Sequence, residues 1–595
     1  MFTVIYGNVF LFLYFDKNPK WNKYDYKKEF YKEKQYFGRV MLTEFQKDIL
    51  EECLKKGSGG LSLKMGTGKT LLALSLAQQQ RPDLPSLVVV SKTLLSSWEH
   101  EIKKFFGDSF PYVILHKDKF ATKQGRNEMN HWVLPPLDSK PFLVITTPQV
   151  VGKVYRDLEI ERHFVMQVPN EHIGFTNVYH PPDHPLLSPL RIENGPGLMY
   201  TTRWGCLIVD EAHGYCNILT DKCRSLASLC REHVWLLSGT LFSEPKTPNI
   251  LGYYSLLHDT STPRDMISME SFLRYDSNFR GLQTTIVHRE STGREKPTYQ
   301  LYQEYVYVKM SREEIMVYEQ IQKVLKKLHT FLRRSETTER RRRFASYILA
   351  VITYLRQIFV APIIVFASIA LDVCKLKERS ELSILLRDEF MKVGLMNWLE
   401  SREALYSSRL LSVIEKLKEC TSRQIPRIII FSAFRTSLKL LEACIDEMED
   451  SNWDCMTLES HQSMSVKEKT LERFKHSSHG ILLLTYKTGS EGLNLQHCNT
   501  VFLLDLLWNM SSRQQAIARV ARQGQLSSDV NVVTFMSNTG IEKAMLEKQK
   551  NKKEIAEDLM GGTTTKHYQH MKVEDIVKMV LKEDTNELYQ QLFST

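Results

Sequence analysis

Gly60-Leu-Ser-Leu-Lys64-Met65-Gly66-Thr67-Gly68-Lys69-Thr70 runs directly into Leu71-Leu-Ala-Leu-Ser-Leu-Ala-Gln-Gln-Gln80. An apolar run, a glycine turn and a helix-forming run follow one another. Glycines at 66 and 68 allow successive backbone N–H groups to point into one concavity at the positive end of a helix, where phosphate oxygens are stabilised. In that arrangement Lys69 reaches the outer phosphates and the Thr70 hydroxyl ligates Mg²⁺. The pattern is GxGKT without the leading glycine of the longer form, and Lys64 lies closest to that place. Taken alone, it is also an ordinary glycine turn before a helix.

The second half of such a site stands at Trp204-Gly-Cys-Leu-Ile-Val-Asp210-Glu211-Ala212-His213. This is a buried-type strand ending in two acids. Asp210 at the strand tip holds the Mg²⁺ through water, and Glu211 polarises the attacking water. From Lys69 to Asp210 there are 141 residues, room for several βα units. The two segments together predict an α/β protein that binds ATP and Mg²⁺.

With both halves in place, the chain resembles the superfamily 2 helicases and translocases, and further motifs follow in that family's order. Leu42-Thr-Glu-Phe45-Gln46 resembles the adenine-reading segment, with Gln46 as the base contact. Leu87-Val-Val-Val-Ser91 and then Leu94-Leu95-x-x-Trp98 resemble the Swi/Snf-type strand that leads to a Trp-capped helix. Val144-Ile-Thr-Thr-Pro148 resembles a DNA-tracking motif, and Leu237-Ser-Gly-Thr240 resembles the motif coupling hydrolysis to movement. The resemblance implies a nucleotide set of Gln46, Met65, Gly66, Thr67, Gly68, Lys69 and Thr70.

Pro426-Arg-Ile-Ile-Ile-Phe431-Ser432 opens a second α/β unit, continued by the strand patterns Ile481–Thr485 and Val501–Asp505. Between them, Thr488-Gly489-Ser-Glu491-Gly-Leu-Asn-Leu495 resembles the fifth family motif. In Arg513-Gln-Gln515-Ala-Ile-Ala-Arg519-Val-Ala-Arg522-Gln-Gly-Gln525, helical spacing puts Gln515, Arg519 and Arg522 on one face. Spacing alone describes an amphipathic basic face equally well. The resemblance makes Arg519 and Arg522 arginine fingers that complete the ATP site from the second lobe, and adds Gly489 and Gln515 to the nucleotide set. The fold it implies is α/β, with two RecA-like parallel-sheet lobes and helical protrusions between and from them.

From Thr240 to Arg427 there are 187 residues, far beyond a linker. The stretch is largely helical in pattern and carries Leu355-Arg-Gln-Ile-Phe359-x-x-Pro362, which resembles a segment of Swi/Snf-type ATPases. The expected organisation is an extension (1–37), an ATP-binding lobe (38–295) with an irregular insertion (156–203), a helical protrusion and linker region (296–404), a C-terminal lobe (405–545), and a brace helix with tail (546–595). Leu495 to Gln515 leaves 20 residues, already filled by a strand and Leu507-Trp508-Asn509, where strand-separating relatives often place a hairpin. The resemblance therefore implies a nucleic-acid-dependent ATPase that translocates on duplex DNA. An RNA- or DNA-unwinding helicase linked to transcription and an ATPase-dead binding scaffold are the alternatives. Leu63-Lys64, Met510 and Ala521 depart from remodeller patterns, and Glu491 resembles bacterial or large-DNA-virus members.

The rest of the chain bounds this reading. Of 595 residues, 79 are Lys or Arg and 69 Asp or Glu, a formal charge of +10 that permits a polyanionic partner. No apolar run approaches the roughly 20 residues of a membrane span, so no membrane partner is expected. Ten cysteines without a CxxC pair point to a reducing, intracellular setting: nucleus, cytoplasm, or a virion or host cell if the chain is viral. Met1–Phe15 reads as one or two strands rather than a signal peptide. The spacing of Cys216, Cys223 and Cys230 reads as one helix face rather than a zinc site. Insertion 156–203 and the protrusions are places for protein partners, and Arg340–Arg343 is either a backbone contact or an exposed helix face.

Overall fold

The computed structural model describes residues 5–6, 9–10, 42–63, 67–107, 110–116, 142–170, 174–180, 190, 192, 195–242, 246–258, 262–263, 268, 282, 284–289, 299–374, 380–448, 453–489, 493, 495–522, 525–561, 573–583 and 585–593. Two parallel sheets organise them. The first has seven strands in the spatial order Ile286–Arg289, Gly59–Leu63, Arg231–Ser238, Trp204–Val209, Ser86–Val89, Leu143–Thr146 and Tyr112–Leu115. Gly59–Leu63 and Trp204–Val209 are buried at every residue, which is why they read as largely apolar runs, with Ser62 the one polar side chain. At Gly59 a Cβ would lie 2.1 Å from the Thr285 carbonyl oxygen, so the approach to the edge strand requires glycine. Because all seven strands run the same way, the segments after Leu63, Val209 and Ser238 leave the sheet at its carboxyl-terminal end. That end carries the crevice where open α/β sheets bind ligands.

The second sheet has six parallel strands in the order Gln300–Tyr307, Asp529–Met536, Thr500–Leu503, Arg427–Ser432, Gly480–Thr485 and Asp454–Leu458. Its edge strand lies within 296–404, the stretch expected to be a helical protrusion and linker region. Gln300–Tyr307 pairs along its whole length with Asp529–Met536. Seven of its eight side chains are exposed, so the stretch lacks the one-sided alternation that betrays a strand.

After the edge strand Gln300–Tyr307 come the long helices Arg312–Arg334 and Thr338–Ile358, followed by Pro362–Cys374, Ser380–Lys392 and Leu395–Leu399. The first begins on a capping box: Glu314 N–H donates to Ser311 Oγ (3.1 Å) and Ser311 N–H to Glu314 Oε2 (2.7 Å). Ile321, Leu325, Leu355, Leu386 and Phe390 form a separate helical core. Ile576, Val577, Val580 and Leu588 from the helices Val573–Lys582 and Thr585–Phe593 complete it, so the C-terminal segment folds back onto the protrusion. Arg340 to Arg343 lie on an exposed first turn of Thr338–Ile358.

Two further expectations are corrected. Insertion 156–203 is not irregular throughout: Val165–Asn170 and Gly174–Tyr179 form an antiparallel hairpin, joined by Thr262–Pro263. Phe175, Thr176, Val178 and Tyr179 are β-branched or aromatic residues that suit a strand despite the nearby prolines. The three cysteines do not share a helix, because the helix Asp221–Ala227 holds Cys223 alone. Among the described residues no group of His, Cys, Asp or Glu is placed to hold a metal by itself. At the N-terminus, Ile5–Tyr6 pairs antiparallel with Val9–Phe10, as two strands.

The helix Gly540–Gly561 connects the parts. Ile541 and Ala544 near its start pack into the helical core, whereas Ile555 near its end packs into the first-lobe core. Its start is held by Glu542, which accepts from both terminal nitrogens of Arg409 at 3.0 Å. The two side chains are 3% and 1% exposed, and Arg409 also donates to Ser537 Oγ at 2.8 Å. Removing one partner leaves a buried charge without compensation. Glu542→Ala is therefore expected to lower stability by about 3–5 kcal/mol, and Arg409→Met with Glu542→Leu to recover most of it, as read from urea unfolding.

Candidate nucleotide site between the lobes

The phosphate loop is built by its neighbours on both sides. The chain leaves Leu63, passes Thr67 and Gly68, and enters the helix Lys69–Gln79. Met65 and Gly66 lie outside the described residues. Gly68 adopts φ +84°, a left-handed conformation that costs an L-residue about 1–2 kcal/mol. It also stands where a Cβ would meet Gln46 Nε2 at 2.4 Å. The helix has no side-chain cap, in contrast to those capped by Thr43, Thr147 and Ser311. Its first amides thus face the loop without a side-chain acceptor of their own.

Gln46 is fixed at both ends of its amide. Oε1 accepts from Thr43 N–H at 3.1 Å, and Nε2 donates to the Thr67 carbonyl at 3.0 Å. It therefore shapes the loop, with one further donor and acceptor site left on the amide for a base. Lys69 Nζ donates to the Leu63 carbonyl at 2.9 Å. Burial lowers the pKa of its ammonium, and the charges of Glu211 and Asp210 oppose that shift.

The acids arrive on the adjacent strand end. Asp210 N–H donates to the Val89 carbonyl at 3.0 Å, continuing the sheet by one residue. Its carboxylate accepts the Glu211 N–H on Oδ1 and the Trp98 indole N–H on Oδ2, both at 2.9 Å. Burial, reinforced by Glu211, pushes this carboxyl up to about 6. Glu211 has a left-handed backbone, φ 49°, which turns its side chain toward His213 Nδ1 at 3.3 Å. Burial raises its pKa, but His213, Lys69 and Arg519 outweigh that, and the carboxyl ends below its ordinary range. His213 Nδ1 also lies 2.9 Å from Ser238 Oγ, which accepts the Thr240 N–H at 3.0 Å. The acidic strand end and the Ser238–Thr240 segment are thus joined through one imidazole.

From the second lobe, Gln515 Nε2 donates to Glu211 Oε2 at 3.4 Å. The helix bearing it, Met510–Ile517, is shorter than its spacing predicts. Arg519 and Arg522 follow it on tight turns, so the three side chains do not form one helical face. The physical reason is tertiary: Leu495 N–H donates to the Arg519 carbonyl at 3.2 Å, drawing the backbone out of the helix. Arg519 and Arg522 still bear on the site, since both repel Lys69 and Arg519 is attracted by Glu211. Burial pulls the Arg519 guanidinium below its usual range, against that attraction. Gly489 is buried where a Cβ would lie 2.3 Å from the Phe431 ring, so packing accounts for the glycine.

Lys69, Asp210, Glu211, Gln515 and Arg519 are brought together. Sequence reasoning gave no role to His213 or to the Trp98 indole. The first stood visible in Asp-Glu-Ala-His, but its link to Ser238 has no local signature. The donor set fits a polyphosphate with a hard divalent cation: uncapped amides, an ammonium, a hydroxyl at Thr70 and paired carboxylates. Behind this cradle lies a cavity of about 460 Å³, lined by Thr240, Arg513, Gln515 and Gln549 among others.

Fold and site define a two-lobed P-loop ATPase. Residues 48–274 match the SNF2-related domain, and residues 411–524 match the helicase conserved C-terminal domain. The chain belongs to the Swi/Snf-type family of superfamily 2 helicase-like ATPases, whose domains use a nucleotide and a divalent cation. It is 24% identical to "Putative helicase 172L" of Invertebrate iridescent virus 6, over 88% of this chain and 90% of that protein. It is also 24% identical to the CHD3-type chromatin-remodeling factor CHR7 of Arabidopsis thaliana, over 89% of this chain and 38% of the relative. The DNA repair protein RAD5 of Yarrowia lipolytica is 30% identical over 29% of this chain and 16% of its own length. The chain thus spans most of the viral relative and a minor part of the other two. Among solved structures, the Sulfolobus solfataricus SWI2/SNF2 ATPase core in complex with dsDNA is 18% identical, covering 93% of this chain and 97% of that one, with a TM-score of 0.31.

Gly68→Ala is expected to displace Gln46 and to weaken nucleotide binding. The backbone strain alone is worth about 1–2 kcal/mol. Nucleotide titration beside thermal unfolding checks this: an unchanged affinity would show that the loop tolerates a side chain.

Proposed function

We propose that this chain hydrolyses ATP with Mg²⁺ and converts the resulting lobe movement into translocation along duplex DNA. The observation that carries the reading is the hydrogen bond from Gln515 to Glu211, which joins the carboxylate base of one lobe to the arginine-bearing segment of the other. Thr70 and Asp210 would hold the cation, which supplies charge neutralisation between the outer phosphates. Lys69 binds the outer phosphates, Glu211 accepts a proton from the attacking water, and Arg519 with Arg522 bears on the charge developing at the transferred group. His213 holds Glu211 against Ser238, so the state of the acid is felt at Thr240.

Any nucleic-acid partner would be held chiefly through phosphates, which position without reading sequence. The preference for duplex DNA rests on the Leu355–Pro362 segment and on the short span from Leu495 to Gln515. The named roles of two relatives, chromatin remodelling and DNA repair, support a DNA-directed activity. No helix among the described residues is long and apolar enough to cross a membrane. An intracellular site of action fits this reading, and insertion 156–203 and the protrusions offer surfaces for protein partners.

Phosphate release measured with single-stranded DNA, duplex DNA and RNA in parallel tests the partner. Strongest stimulation by duplex DNA is expected, with displacement of a triplex-forming strand but no opening of a fork. Stimulation by RNA with fork opening would favour the unwinding-helicase reading instead. Lys69→Ala is expected to abolish hydrolysis, and retained DNA-stimulated turnover in that variant would sink the assignment of the site.

A further inference from the structure

Trp98 lies on the helix Leu95–Phe105, is 1% exposed, and packs in the first-lobe core with Val90, Ile102 and Ile208. Its one polar atom is the indole N–H, which a buried tryptophan must pair. The partner is not a nearby backbone carbonyl but Asp210 Oδ2, at 2.9 Å and 112 residues away. The chain brings the two together through adjacent strands. The helix follows Ser86–Val89, and Val89 accepts the Asp210 N–H at 3.0 Å.

The consequence lies in the geometry of the carboxylate. Oδ1 is held by the Glu211 N–H and Oδ2 by the indole N–H, so donors from two separate elements fix its plane. Each oxygen keeps lone-pair capacity beyond its one protein donor. A carboxylate held by one donor swings about its χ2 bond, whereas one held by two is oriented before a cation arrives. Partners of this outer kind orient metal-binding side chains, and losing one typically weakens metal affinity by about 10–100-fold.

We propose that Trp98 is a positioning residue for the divalent-cation site: its indole N–H presets the Asp210 carboxylate so that cation and nucleotide bind together. The inference rests on the nucleotide-site reading above and deepens it. A purely structural role for Trp98 would require only the aromatic bulk. The two roles separate when the N–H is removed and the bulk kept.

The test uses the full chain, its Trp98→Phe variant, and a version carrying 3-benzothienylalanine at position 98, in which sulfur replaces the N–H in an indole-shaped ring. The probe is methylanthraniloyl-ADP, titrated with and without Mg²⁺, with thermal unfolding as a control. Both altered chains are expected to bind the metal-free probe like the parent. The gain in affinity on adding Mg²⁺ should fall by about tenfold or more, with partial recovery in Mn²⁺. A Mg²⁺-dependent gain equal to the parent's in the benzothienyl chain would overturn the proposal. An equal loss with and without metal in that chain would also overturn it, showing that the ring merely supports the fold. If the parent itself gains nothing from Mg²⁺, the nucleotide-site reading falls and this inference falls with it.

Discussion

Two carboxylates side by side at the end of one strand are an electrostatic liability, and the surroundings of Asp210 and Glu211 follow from it. Like charges in a poorly solvated cleft disfavour each other's ionisation, and burial adds to the cost. The chain meets this by unequal treatment. Glu211 receives His213 as a contact and shares the fields of Lys69 and Arg519, and it stays ionised. Asp210 receives two neutral donors, and its carboxyl remains high. Burial pulls the Lys69 ammonium below its ordinary range, and the charges of the same pair oppose that shift. The cradle is thus a balance of charges that a phosphate and a cation would rearrange, not a neutral pocket that they would fill.

That balance ties the lobes together. Arg519 comes from the second lobe, yet its interaction with Glu211 is among the larger influences on its charge. The attraction favours closure, while repulsion among Lys69, Arg519 and Arg522 opposes it until negative charge enters between them. The helix Gly540–Gly561 bridges the lobes: one end is held by the buried Arg409–Glu542 pair and the other is packed in the first-lobe core.

The meeting of Lys69 with Asp210 and Glu211 was legible in the sequence because GxGKT and the acid pair each follow a strand pattern, and parallel strands bring such ends to one side of a sheet. The fully buried strands of both sheets were legible as apolar runs for a related reason. What escaped reading depends on partners distant in the chain. The strand Gln300–Tyr307 is defined by pairing with Asp529–Met536 and not by its own side chains. The Trp98 indole finds its acceptor across 112 residues, and the helix Met510–Ile517 stops where the Leu495 amide takes the Arg519 carbonyl. In each case local propensity was overruled by a backbone or side-chain contact with no local trace.

The last of these has a mechanical meaning. An arginine on a continuous helix would be placed by that helix alone. Arg519 instead sits on a turn whose carbonyl is held by Leu495, the final residue of the Thr488–Leu495 segment. Thr488 is fixed to Thr485 at the end of a central strand, and Gly489 is pressed against the Phe431 ring. The placement of Arg519 thus depends on a backbone contact from outside the helix that carries Gln515, so the arginine and the glutamine reach the cradle on separate supports.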